Sequence, residues 1–192
     1  MRVYVPATVP MLRTLVADGE FHPVSRTAFA VTPTLREAYS SGDDEELAEV
    51  AMNEAAMASL RLVAAAIEDG SALDTGPPIE DDVALATGSD SAPRGVEVVY
   101  RRAVIAADVD DPTLRPDLDD AVVRLKEPLS LHQVASVHVD LEAAEPAVEK
   151  AVSIIDAADM GDPDAEFVLG DAEDHTLAWY ATQELPFLLE FL

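Results

Sequence analysis

The sequence predicts an α/β protein, with an α+β arrangement as the alternative. We expect a mixed β-sheet of about five strands covered by helices, one long helix in mid-chain and a helical C-terminus. Three observations predict this. Short β-branched runs alternate with segments of helical spacing. Proline follows a capping residue at three helix starts, Thr8 with Pro10, Thr32 with Pro33 and Asp162 with Pro163. Apolar residues make up 49% of the 192 residues and aromatics only 5%, so Val, Leu, Ile and Ala must fill one ordinary core.

Residues 2–7 read as a first strand, with Val3 and Val5 on one face. Thr8 then caps a helix carrying Met11, Leu12, Leu15 and Val16, and Gly19 closes it. A second strand at 27–31 leads into a short helix opened by Thr32 and Pro33. The long helix runs over about 43–69. Its first turn holds Asp43, Asp44, Glu45 and Glu46, the sign a helix N-terminus favours. An alanine-rich stripe follows, Leu47, Ala51, Ala55, Ala58 and Leu62, which demands a closely approaching partner surface. Strands are expected at 96–108, 121–125 and 136–140, then a helix to about residue 158. After Asp162 and Pro163, helical spacing continues through Ala172, Thr176, Trp179 and Gln183, weakened at Gly170. On that reading Trp179 is a packing anchor against the sheet. Early alternation implies at least one parallel strand pair, with the later strands pairing among themselves. The whole of 1–192 reads as one domain. Residues 71–95, rich in Gly, Pro, Ser and Asp, read as a flexible acidic insertion; the alternative reading is a recruitment segment at 79–85 that orders on binding.

Charge bounds the function. The formal net is −26, from 38 Asp+Glu against 12 Lys+Arg. Such a surface repels nucleic acid and anionic membranes and attracts basic proteins and cations. There is no cysteine, which excludes disulfides and thiolate chemistry. No signal-peptide core is recognisable, and the most apolar stretch, 57–67, is broken by Arg61. A cytoplasmic location without membrane association is the expectation, and no cofactor is implied.

Hydrolase elbows, phosphate loops, dinucleotide fingerprints and zinc helices are all missing. The densest group of chemical side chains is Glu173, Asp174 and His175, followed by Trp179 and Tyr180. A carboxylate beside an imidazole suits general acid–base work, so Glu173, Asp174, His175 and Tyr180 are the catalytic candidates. His138 and Asp140 share one strand face and are the candidate metal ligands. Trp179, Phe187 and Phe191 are the candidate partner-binding residues, and the apolar C-terminal tail either closes over the core or supports self-association.

Three stretches, MRVYVPATVPMLR, TAFAVTPTLREAY and AEDHTLAWYATQEL, resemble a family of small acidic actinobacterial proteins of unknown function. The resemblance spans most of the chain outside 71–95, and the last stretch is its most specific part. It implies a conserved domain and carries no activity or site residue with it.

The leading functional expectation is a non-catalytic interaction or regulatory protein that binds a basic protein partner. The rivals are a noncanonical enzyme centred on Glu173, Asp174, His175 and Tyr180, and a nucleic-acid mimic that occupies a DNA- or RNA-binding protein.

Overall fold

The computed structural model of the chain describes residues 1–70 and 98–192. The insertion expected at 71–95, with its recruitment segment, lies outside the described residues. In chain order the elements are β1 (Arg2–Ala7), α1 (Val9–Asp18), β2 (Glu20–Phe21), β3 (Thr27–Phe29), α2 (Pro33–Ala38) and α3 (Asp44–Glu68). There follow β4 (Ala103–Asp108), β5 (Thr113–Leu114), β6 (Val122–Arg124), β7 (Leu129–Ser130) and β8 (Val134–Val139). The chain then forms α4 (Glu145–Asp159), α5 (Pro163–Glu173), β9 (Ala178–Ala181) and α6 (Leu185–Glu190).

The α/β class, the long helix and the helical C-terminal region are as the sequence predicts; the sheet is larger. Seven strands lie in the order β5-β6-β3-β1-β4-β8-β9, and β2 pairs separately with β7. Every ladder among the described residues is antiparallel, so the expected parallel pair is absent there. The reason lies in β1. It pairs antiparallel with both β3 and β4, so these two run the same way but are held one strand apart. The helical connection between them therefore spans a slot that β1 fills.

Alternation along the strands builds two cores. Val3, Val5, Ala7, Ile105, Val137 and Val139 face α1 and α6, meeting Leu12, Leu15 and Leu185. Tyr4, Phe29, Val104 and Ala106 face α3, meeting Leu47, Ala51, Ala55 and Ala56. Covered on both faces, β4 reads as an unbroken apolar run. A third layer forms where Leu60 meets Val148, Ala151 and Ile155 of α4 and Leu169 and Ala172 of α5.

Local signals position α3. The Asp43 side chain accepts from the amides of Glu45 and Glu46, and the Glu46 carboxylate accepts from Asp43 N–H. Alanines on its inner face bring the helix close to the sheet. Ser59 is fully buried at that contact: its Oγ donates to the Ala7 carbonyl at 2.7 Å and accepts from Ala103 N–H at 2.9 Å. By length and composition alone α3 is also able to cross a membrane, but here it packs on the sheet and on α4.

Within the helical C-terminal region one stretch departs from expectation. α5 stops at Glu173, and residues 178–181 form an edge strand rather than more helix. Trp179 is 60% exposed, so it is not the packing anchor expected of it. Cross-strand pairing with β8 has won over a coincidental helical spacing. The apolar tail divides: Leu185 is buried and Leu188, Leu189 and Leu192 pack against the core, while Phe187 and Phe191 stand 67% and 85% exposed.

Candidate functional site

A cleft of about 440 Å³ opens between the outer side of α3, the end of β8 and the turn from α5 to β9. Its acidic lining comes from Glu49 and Glu54 of α3 and from Glu173 and Asp174. His138, His175, Asn53 and Thr176 add further polar groups, and Arg102 lies at the base.

Arg102 brings no free charge. It is 2% exposed and Asp140 is 1% exposed. Arg102 Nε donates to Asp140 Oδ2 and Nη2 to Oδ1, both at 2.8 Å. Backbone bonds lock the pair: Arg102 N–H reaches Asp140 Oδ2 at 2.9 Å, and Asp140 N–H reaches the Arg102 carbonyl at 3.1 Å. Arg102 Nη2 also donates to the His175 carbonyl at 2.7 Å. The guanidinium thus fixes the turn that carries Glu173, Asp174 and His175. Arg61, which also acts on Glu54, is itself bound to Asp159 at 2.7 and 3.0 Å.

Two titratable groups of the cleft are perturbed. Partial burial pushes the Glu54 carboxyl up, and repulsion from Asp119 adds to this; Arg61 opposes it, and Glu173 contributes further repulsion. Burial holds the His138 imidazole below its ordinary value, which keeps the ring neutral at neutral pH. His138 Nε2 lies 3.2 Å from the Oγ of buried Ser136.

Of the sequence candidates, Glu173, Asp174, His175 and His138 meet in this cleft. Tyr180 does not. It pairs with Val137 and packs against the opposite core, because β9 alternates. Trp179 pairs with His138 and therefore stands on the cleft side of the sheet. Phe187 and Phe191 belong to α6 and its end, on the other side. Asp140 does not stand free beside His138, since both its oxygens are taken by Arg102. Among the described residues no group of three or more His, Asp or Glu is placed to hold a metal ion.

Glu49, Glu54 and Arg102 escape a reading of the sequence. The glutamates sit on the solvent side of an amphipathic helix, where carboxylates are routine. Arg102 had one signal, a cation and an anion flanking two strands that pair, Arg102 before β4 and Asp140 after β8.

A family model covers residues 1–189, that of a family of unknown function, DUF6912. No curated protein matches the chain, and no solved structure matches it.

Proposed function

Since the chain belongs to DUF6912, a family without an assigned activity, we propose from its own geometry that it is a binding protein whose cleft takes a positively charged group of a basic protein partner. One observation carries this reading. Four carboxylates line the cleft, while the guanidinium at its base is already neutralised by Asp140. An incoming ammonium or guanidinium offsets the partial burial, and the repulsion from Asp119 and Glu173, that raise Glu54. The net charge of −26 draws such a partner from a distance and speeds the encounter. The base of the cleft is fixed by buried hydrogen bonds, so little ordering is required on binding.

The test is a calorimetric titration with argininamide and with a neutral amide of the same size, at low and at physiological salt. Argininamide binds, more weakly as salt rises, and Glu54→Gln with Glu173→Gln weakens it about tenfold, or ~1.4 kcal/mol. Equal binding of the neutral amide, or an unaffected double variant, overturns the reading.

A second reading, acid–base catalysis, draws on the opposed perturbations of Glu54 and His138 within one cleft. It replaces the Glu173, Asp174, His175 and Tyr180 constellation by Glu54 and His138, because Tyr180 faces away. Its signature is a bell-shaped rate profile that loses one limb in Glu54→Gln and the other in His138→Gln.

A further inference from the structure

The two ends of the main sheet differ. β5 is two residues long, a short edge of the kind that resists further pairing. β9 is four residues, Ala178–Trp179–Tyr180–Ala181, and pairs with β8 in continuous register without a bulge. It contains no Lys, no Pro and no charge, the devices that usually guard an edge. Beyond its ladder to β8, the backbone of Ala178, Trp179 and Tyr180 makes no hydrogen bond among the described residues. In an antiparallel edge strand every second residue turns its N–H and C=O outward. Trp179, 60% exposed, stands beside this edge on the cleft side.

We propose that β9 accepts an extended basic segment of a protein partner as an eighth strand. This rests on the reading of the cleft as a receptor for a cationic group and supplies the mode of docking. Main-chain pairing gives affinity, and alternate side chains give selectivity. Side chains of the added strand that share the Trp179 face approach its ring and the Glu173 and Asp174 carboxylates. Arginine fits there, by cation–π contact and by charge. The intervening side chains lie on the Tyr180 face, where apolar residues fit. Charge decides between this partner and a second copy of the chain. Residues 151–192 contain no Lys or Arg, and Glu173, Asp174 and Glu184 flank β9. Two such edges repel, whereas a basic strand neutralises them.

The probe is the peptide acetyl-Arg-Val-Arg-Val-Arg-amide, followed through Trp179 fluorescence, the chain having a single Trp. Two further peptides carry N-methyl groups, one on the valines and one on the arginines. A ladder uses the outward amides of only one set. One methylated peptide therefore loses about tenfold or more in affinity while the other stays within about twofold. Glu54→Gln with Glu173→Gln weakens all three peptides together. If both methylated peptides match the parent while the double variant weakens it, strand addition is overturned and the cleft reading stands. If the methylation pattern appears and the double variant changes nothing, the cleft reading fails and the edge remains. Absence of binding by every peptide overturns strand addition, and argininamide then judges the cleft alone. A peptide-free dimer in sedimentation, abolished by Tyr180→Pro, makes the occupant a second copy and overturns the basic partner.

Discussion

Arg102 and Asp140 form the first buried pair beyond the end of the β4–β8 ladder, one step past the partners Ala103 and Val139. The contact joins two strand ends and a third segment, the turn at His175, through one guanidinium. Taking both charges out of water is costly, so the pair fixes geometry more than it adds stability.

Asp140→Ala leaves that guanidinium buried without its counter-charge. The expected cost is about 3–5 kcal/mol, read as a lower urea midpoint. Replacing both residues by leucine recovers most of the loss. Amide exchange at Thr176 and Leu177 rises in the double variant, where the His175 carbonyl loses its donor.

Ser59→Ala removes one hydroxyl and leaves two backbone groups short of a partner, the Ala7 carbonyl and the Ala103 amide. The buried site admits little water, so the expected loss is about 1–3 kcal/mol. An unchanged thermal midpoint counts against a structural role for this serine.

The cleft predicts two opposite pH dependences. Glu54 has a folded value above its unfolded one, so the folded chain holds its proton longer. Its contribution is best below the unfolded carboxyl range and is lost as pH rises through the folded value. Glu54→Gln is therefore expected to raise the thermal midpoint at pH 7 but not at pH 4. The gain stays well under ~1 kcal/mol, because the side chain still reaches solvent.

His138 behaves the other way. Its folded value lies below the unfolded one, so acid protonates the unfolded chain first. The stability it lends is present above the unfolded value and is lost as pH falls through the folded value. His138→Gln flattens the fall in stability between pH 7 and 5, measured by denaturant titration at each pH. A slope unchanged by the substitution assigns the titration to another group.

Trp179, 60% exposed, is expected to emit as a solvated indole and to be quenched freely by acrylamide, a neutral quencher that the acidic surface does not repel. Trp179→Ala costs about 1 kcal/mol or less, the range for a mostly exposed ring. A blue-shifted, protected spectrum contradicts the exposed edge.

Much of this fold is legible in the sequence, and the failures have physical causes. Thr8, Thr32 and Asp162 cap the helices expected of them, because caps are local chemistry, while Asp43, read as part of the first turn of α3, is its cap. β2, β5 and β7 are two residues each, too short for any periodicity to register. β9 deceives for another reason. Its side chains are partly exposed on both faces, so no alternation marks it, while Ala172, Thr176 and Trp179 imitate a helical stripe. One stretch of the cleft, Glu173, Asp174 and His175, is contiguous and therefore visible. Glu54 and His138 belong to it only because α3 packs on β1 and β4 and β8 is the next strand of the sheet, a relationship that no local pattern encodes.

The place of β1 also governs the order in which the protein is able to take shape as it is made. This strand emerges before its sheet partners, yet it is the middle of the sheet, and its six-residue ladder partner is β4. Until residue 108 has left the ribosome, one side of β1 has nothing to pair with. The residues of α1 and α3 have been made by then, but the sheet surface they cover is incomplete. Closure over so long a span of chain makes assembly of this sheet a late and concerted event. Ribosome-bound chains stalled before β4 are accordingly expected to be cut by protease within residues 1–70, and chains stalled after β9 to resist.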